Sequence, residues 1–469
     1  MDGFDLVINN GRVIDPEFDR DGVFHIGIRN RMITEVSSRP LDGKQSIDAS
    51  GLVVAAGFID IHTHEDDSII FSETGFRDFL QPFETAKVLV KTGVTTMIGG
   101  NCGFSAYPLK QYLEKLHESG IPLNYGTLLG YNSIRSGLGI DFYESASSDE
   151  IHKLKDMVQE ELSKAALGVS FGLQYSPGTT TEEVIEVAEI VKRFGKYIAV
   201  HMRYDYPEKA LEAVEEMVTI ARESGVSIEI SHLAANVYGD DNILKALMLT
   251  KSAREEGLDI TADVYPYDAW GTTIKSAVFD EGWLDHFIFS YPDIEIITGE
   301  YAGRRCSRDL FDILRSKDQD TFVVCHNAIP ISDIRTALKD PTVSIMSDGQ
   351  MARDPATGDL QGHPRSSGTP AKLLGEIVRE KQWITLNEAI EKLTLLPAKR
   401  LKLSLRGRLQ VGCYADITIF DPDTIIDTSA FGANVCASAP DGIEYVIIGG
   451  EIAYQGKELK RMDLGETIF

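Results

Sequence analysis

From about Leu52 onward, short β-branched runs alternate with amphipathic helical patterns, and the runs number eight. The candidate strands are 53–61, 94–99, 123–129, 168–173, 197–202, 227–232, 259–265 and 344–348. Strands separated by helices pair in parallel, and eight is the number that closes a parallel sheet into a barrel. Between them the segments 149–167, 181–194, 207–224 and 242–256 carry apolar residues at i, i+3, i+4 spacing, as helices with one buried face do. Thr179-Thr180-Thr181 before Glu182-Glu183, and Asp149-Glu150 before Ile151, read as helix starts with acidic first turns. The expected fold class is α/β, a (β/α)8 TIM barrel.

The two ends of the chain follow a different rhythm. Residues 4–13 and 23–37 alternate polar and apolar and turn at Asn9-Asn10-Gly11 and Asn30-Arg31, as hairpins do. A matching pattern returns at 415–420 and 443–454, turning at Gly449-Gly450. The simplest account is a small β-sandwich-like domain built from both termini, residues 1–56 and 406–469, with the barrel at 57–405 inserted between them. A stretch at about 276–335, before the eighth strand, holds Trp283, the aromatic-rich run 287–291 and an extra apolar run 321–325. An insertion at that place could cover the barrel mouth as a lid.

Composition narrows the partners. The formal charge of −26 argues against nucleic acid or an anionic membrane, because phosphate binding needs a basic surface. No run reaches the ~18–20 apolar residues of a membrane span, and Met1-Asp2-Gly3-Phe4-Asp5 lacks the layout of a signal peptide. Cys102, Cys306, Cys325, Cys413 and Cys436 are odd in number, scattered and without a C-x-x-C pair, so a disulfide framework is not expected. These features read as a soluble, cytoplasmic protein with a small-molecule substrate; oligomeric state is left open.

In such a barrel the reacting groups sit at the C-terminal ends of the strands. The first strand ends in His62-Thr63-His64, whose imidazoles, two apart on extended chain, project from one face and can grip one ion. The second runs into Gly99-Gly-Asn-Cys102-Gly103, the fifth ends in His201-Met-Arg203, the sixth in Ser231-His232 and the eighth in Ser347-Asp348-Gly349. Each residue alone has an ordinary reading: a core histidine, a small apolar cysteine, a turn-forming aspartate. Their joint fall at strand ends points to a metal site. His25, His117, His152 and His286 lie elsewhere, His326 reads as structural, and His363, in a loop after the eighth strand, can reach the pocket.

These segments, together with Gly172-Leu-Gln-Tyr175-Ser-Pro-Gly, Tyr265-Pro-Tyr267, His363-Pro-Arg365 and the closing Gly407-Arg-Leu through Ala415-Asp416, resemble the amidohydrolase superfamily. More narrowly they resemble its D-aminoacylase, or N-acyl-D-amino-acid deacylase, branch. The Asn-Cys-Gly turn is the most discriminating motif, because related cyclic-amide hydrolases instead bridge two metals with a modified lysine on strand four, which here reads Gly168-Val-Ser-Phe-Gly-Leu. The resemblance implies that Cys102, His201 and His232 hold a tightly bound zinc ion, while His62, His64 and Asp348 surround a second, weaker position. It also implies that Arg365 makes a bidentate pair with a substrate carboxylate, and that Tyr175 and Tyr265 line the pocket with their hydroxyls, as Tyr267 could. Two departures stand out: Ala234 replaces a lysine the family uses for that carboxylate, and Arg203-Tyr204-Asp205 ends in aspartate where the family has glutamate.

The expected reaction is hydrolysis of a linear amide, most specifically deacylation of N-acyl-D-amino acids. Zinc lowers the pKa of a bound water to about 7 and polarises the carbonyl, and Asp348 is assigned the proton transfers as general acid and base. A cyclic-amide hydrolase of the hydantoinase or dihydroorotase kind is the alternative. A non-catalytic scaffold on the same fold would predict degraded ligands, and all six are present.

Overall fold

The computed structural model describes residues 3–64, 83–239, 241–318, 320–354 and 357–469; Met1 and Asp2 of the N-terminal run considered above lie outside them. Among the described residues the barrel strands are Phe58–Asp60, Val94–Gly99, the pair Asn124–Thr127 and Leu129–Gly130, Gly168–Gly172, Tyr197–His201, Ser227–Ile230, Ile260–Val264 and Val343–Ile345. Neighbours pair in parallel around the series. The ring closes where Thr63, past the first strand, bridges Gly349, past the eighth, and His64 N donates to Gly349 O at 2.9 Å. The third strand breaks at Leu128, whose N–H turns back to Gly99 O at 3.0 Å.

Strands four and five are buried at every position, as expected of parallel strands covered by helices on one face and packed side chains on the other. The covering helices include Ser148–Lys164, Thr181–Arg193, Ala210–Ser224 and Asn242–Glu255, close to the bounds read from periodicity. The first begins in a capping box in which Ser147 and Glu150 each take the other's backbone N–H. Pro207 opens a short 3-10 turn, Pro207–Lys209, ahead of the third.

The expected strand 53–61 is two strands. Val53–Ala56 belongs to the terminal sheet, and Phe58–Asp60 opens the barrel. Gly57 is the seam: its N–H donates to Asp416 O at 2.8 Å, and a Cβ there would stand 2.2 Å from Thr95 Oγ1. A continuous apolar run conceals this break, because burial on both sides of the seam makes the residues read alike.

Both termini build one nine-stranded sheet, in the order Glu458–Leu459, Glu451–Gln455, Ile443–Ile448, Ile417–Phe420, Val53–Ala56, Phe4–Asp15, Arg20–Arg29, Met32–Ser37, with Gly43–Asp48 alongside Phe4–Asp15. Leu6, Ile8, Ile26, Ile417 and Ile447 form the heart of its own apolar cluster. Asn30-Arg31 and Gly449-Gly450 turn with positive φ at both residues, as tight hairpins require. Asn9-Asn10-Gly11 does not turn. The strand runs through it with a bulge between Ile8 and Gly11, and Asn10 takes a φ of 64°.

After the seventh strand the chain leaves the barrel to form an antiparallel sheet of Trp270–Thr273, Ile294–Ile296 and Phe322–Cys325. The excursion therefore starts at Trp270 rather than near 276, because Trp270–Thr273 pairs with the apolar run expected as extra. Its core is aromatic: Phe279, Trp283, Phe287, Phe289 and Phe311 pack on one another, with Trp283 and Phe311 rings 5.4 Å apart. Tyr175, from the loop after strand four, packs against this cluster and so ties the insertion to the barrel's C-terminal end.

Candidate metal centre

Cys102, His232 and Asp348 all have positive φ, at 51°, 35° and 50°. Side chains other than glycine rarely adopt this region, at a cost of about 1–3 kcal/mol where they do, and such strain gathers at functional sites. Each residue stands two or three positions past a strand end, where the chain must turn sharply to aim a side chain into the barrel mouth. The Gly-Asn-Cys-Gly turn is built for that: a Cβ at Gly100 would meet Leu128 O at 2.1 Å, and one at Gly103 would meet Asn132 Oδ1 at 2.4 Å. Asn101 ties the turn to strand two by donating to Ile98 O at 3.0 Å.

The expected ligands come together. His62, His64 and Cys102 form one group of potential ligand atoms within 4.8 Å of one another, and Cys102, His201 and His232 form a second. Cys102 Sγ is the shared vertex, 3.3 Å from His62 Nε2 and 3.4 Å from His232 Nε2. Asp348 Oδ1 lies 2.9 Å from His64 Nε2 and 3.5 Å from His62 Nε2, which brings the sixth residue to the same cavity. All but His64 are buried, His62 completely.

Packing so many ionisable groups out of water leaves them to set one another's charge. Burial favours the Cys102 thiol, but the His62 and His232 imidazoles outweigh it and bring its pKa well below the ordinary value. Burial likewise favours neutral imidazoles, yet Cys102 and Asp263 push His62 up to about 10, and Asp205 and Cys102 push His201 to about 10. Asp348 resists its burial because Arg365 and His64 hold its carboxyl well below the usual range. A thiolate among imidazoles is a soft donor set that suits zinc better than magnesium or manganese. His201 Nδ1 is buried and makes no hydrogen bond, and it would give its lone pair to a metal ion that displaces the ring's extra proton. The residues fit a transition-metal ion.

The substrate-facing residues are placed less simply. Arg365 Nη2 pairs with Asp348 Oδ2 at 2.8 Å and its Nε donates to Asp348 O at 2.9 Å, with the guanidinium stacked 4.6 Å from the Tyr265 ring centre. Two of its three nitrogens are thus engaged with Asp348, while Nη1 is buried without a hydrogen bond and keeps its donors open. The Tyr265 hydroxyl is also buried and makes none, and burial raises its pKa. Tyr175 lies over His201, ring centres 4.4 Å apart. Tyr267 turns away: its hydroxyl donates to Asp427 Oδ2 at 2.7 Å in the loop that returns from the terminal sheet. His363 is buried behind Arg365, whose N–H it accepts on Nδ1 at 3.0 Å, and His326 pairs with Glu295 at 2.8 Å. Ala234 is buried and brings no charge.

Three residues behind the candidate ligands were given no supporting role from sequence, Asp205 having been noted only as a departure from the family pattern. Asp263 lies 3.4 Å from His62 Nδ1 and also accepts the His232 backbone N–H. Asp205 accepts from His201 Nε2 at 3.0 Å, and Asn236 Oδ1 meets His232 Nδ1 at 2.7 Å. Asp205 and Asn236 each stand four residues after the histidine they support, a spacing readable in the chain. Asp263 carries no such signal, since only strand pairing brings it to His62.

A chain with this barrel, terminal sheet and cluster of histidines and cysteine is a metal-dependent hydrolase by architecture, and it matches the Amidohydrolase family over residues 53–453. The protein belongs to that family. It is 29% identical to a D-aminoacylase of Alcaligenes xylosoxydans xylosoxydans, covering 99% of this chain and 97% of that one. It is 28% identical to an N-acyl-D-glutamate deacylase of the same organism, covering 95% and 93%. A crystal structure of a D-aminoacylase superposes with a TM-score of 0.84 at 27% identity over 99% of both chains. The fold of an N-acyl-D-glutamate deacylase from Bordetella bronchiseptica, complexed with zinc and a phosphonate inhibitor, superposes at 0.85 with 24% identity over 99% of both chains.

Proposed function

We propose that this protein is a zinc-dependent hydrolase of linear amides that releases D-amino acids from their N-acyl derivatives. The observation that carries the reading is Cys102 at the shared vertex of two ligand groups, where a carboxylated lysine on strand four would stand in a cyclic-amide hydrolase; strand four here, Gly168–Gly172, has no lysine. The similarities lean the same way: the deacylases match at 28–29% identity, whereas dihydroorotases match at 22–24%. D-hydantoinase superposes at a TM-score of only 0.62.

In this reading Cys102, His201 and His232 hold the tighter zinc, and His62, His64 and Asp348 border a second position. Bound zinc would supply a Lewis acid for the amide carbonyl and lower the pKa of water to about 7. Asp348 enters the reaction as a carboxylate, kept so by Arg365 and His64, and takes the proton of the attacking water. It returns that proton to the departing nitrogen as the C–N bond breaks. Arg365 Nη1 and the Tyr265 hydroxyl, both buried with open hydrogen-bonding capacity, bind the substrate carboxylate, and Tyr175 walls the pocket beside His201. Residues 57–405 are taken as the catalytic barrel, with 1–56 and 406–469 forming the terminal domain. A cytoplasmic setting agrees with five cysteines that are all free and buried. No helix among the described residues is long and apolar enough to cross a membrane.

The test is a panel of N-acetylated D- and L-amino acids beside hydantoin and dihydropyrimidine rings, run on zinc-loaded protein with metal content measured on the same sample. Turnover of the acyclic D-substrates is expected. Turnover confined to rings would replace this reading with the cyclic-amide one.

A further inference from the structure

Behind the ligand histidines of strands five and six runs a closed chain of hydrogen bonds. We infer that Asn236 is a positioning residue which, through Asp205, fixes the tautomers of His201 and His232 so that each turns a lone pair toward the zinc position. This rests on the zinc reading above.

The assignment follows from what each group can donate. A carboxylate only accepts. Asp205 receives His201 Nε2 on both oxygens, at 3.0 and 3.1 Å, so the His201 ring proton sits on Nε2. In the neutral, metal-binding ring that leaves the lone pair on Nδ1, the atom that is buried without a hydrogen bond. Asp205 Oδ1 also takes a hydrogen bond from Asn236 Nδ2, which settles which end of the amide is which. The Asn236 carbonyl must then face His232 Nδ1, 2.7 Å away, and being an acceptor it places the His232 proton on Nδ1. His232 Nε2 is thereby left with its lone pair, and that is the nitrogen 3.4 Å from Cys102 Sγ.

One amide thus connects two imidazoles that use opposite ring nitrogens. Asn236 is buried at the end of the short helix Leu233–Asn236, and its side chain spends both ends on this chain of bonds. A buried amide is tolerated only when satisfied. Partners that orient ligating histidines typically contribute 10–100-fold in metal affinity.

Zinc affinity of the full-length protein, measured by competition with a chromophoric chelator, tests this directly. Asn236→Leu is expected to weaken zinc binding about tenfold to a hundredfold, while the circular dichroism of the metal-free protein stays that of the parent. Asn236→Asp, of the same size, still accepts from His232 but cannot donate to Asp205, and is expected to weaken binding as well; it serves if the leucine variant does not fold. Because the two residues act in series, the loss in the double variant with Asp205→Ala should fall short of the sum of the single losses. Parental affinity in both Asn236 variants, or strictly additive losses, would overturn the inference. A parent protein that takes up no zinc would instead remove the zinc reading itself, and this inference with it.

Discussion

Asp348 is held by two neighbours through three contacts: His64 at 2.9 Å and, through its other oxygen and its carbonyl, Arg365 at 2.8 and 2.9 Å. Asp348→Asn preserves the shape and most contacts but cannot take a proton, so kcat should fall by about 10²–10⁴ while zinc content stays near that of the parent. Near-parental turnover in that variant would remove Asp348 from the chemistry. Arg365 engages Asp348 through two nitrogens while Nη1 stays open, a planar spread of donors that the compact ammonium of Arg365→Lys cannot reproduce. KM for N-acetyl-D-amino acids is expected to rise about tenfold or more, as steady-state kinetics on zinc-loaded protein would show. At this scale the sequence exposed the candidate ligands because each lies at a strand end or up to four residues past it. It did not expose the Arg365–Asp348 pair, since the two stand 17 positions apart with the strands Met351–Arg353 and Leu360–Gly362 between them, and only the fold sets them face to face.

Among the elements, strand ends carry the chemistry and seams carry the surprises. The eight strands and the main helices were readable because short continuous β-branched runs alternate with longer segments whose apolar residues recur near every 3.6. The run 53–61 defeated that logic: it is buried throughout, and nothing in its pattern tells the last strand of the terminal sheet from the first strand of the barrel. Gly57 was the one clue. A methyl group there would press on Thr95 from 2.2 Å, so Gly57→Ala should destabilise the protein by about 1–3 kcal/mol. Urea denaturation of parent and variant would register it as a lower midpoint at unchanged slope. The bulge at Asn10 was missed for a related reason: Asn-Gly favours positive φ, which serves a bulge as well as a turn.

The molecule as a whole separates its work between the two ends of the barrel. The C-terminal end gathers the ligands, while the opposite end is tied by Arg400, which reaches Glu229 at 2.9 Å and Asp259 at 3.0 Å. Burial pushes the Glu229 carboxyl up to about 7 against the pull of Arg400. A carboxyl raised in the folded state contributes stability that is complete below its ordinary value near 4.5 and is lost as pH climbs through 7. Glu229→Gln cannot titrate, so from pH 5 to pH 8 the parent should lose on the order of 1–3 kcal/mol relative to the variant. Thermal melts of both proteins across that range would reveal parallel curves if Glu229 is not responsible.

The seam at Gly57 places His62 and His64 on a strand that runs straight out of the terminal sheet, whereas Cys102, His201 and His232 hang from strands wholly inside the barrel. The two halves of the cleft are therefore moored to different parts of the molecule. Unfolding of the terminal sheet ahead of the barrel would drag one pair of histidines off station and leave the other trio at anchor. Rising denaturant should then strip a doubly loaded protein of its ions one after the other, a staggered surrender visible as two steps in the absorbance of a cobalt-loaded sample.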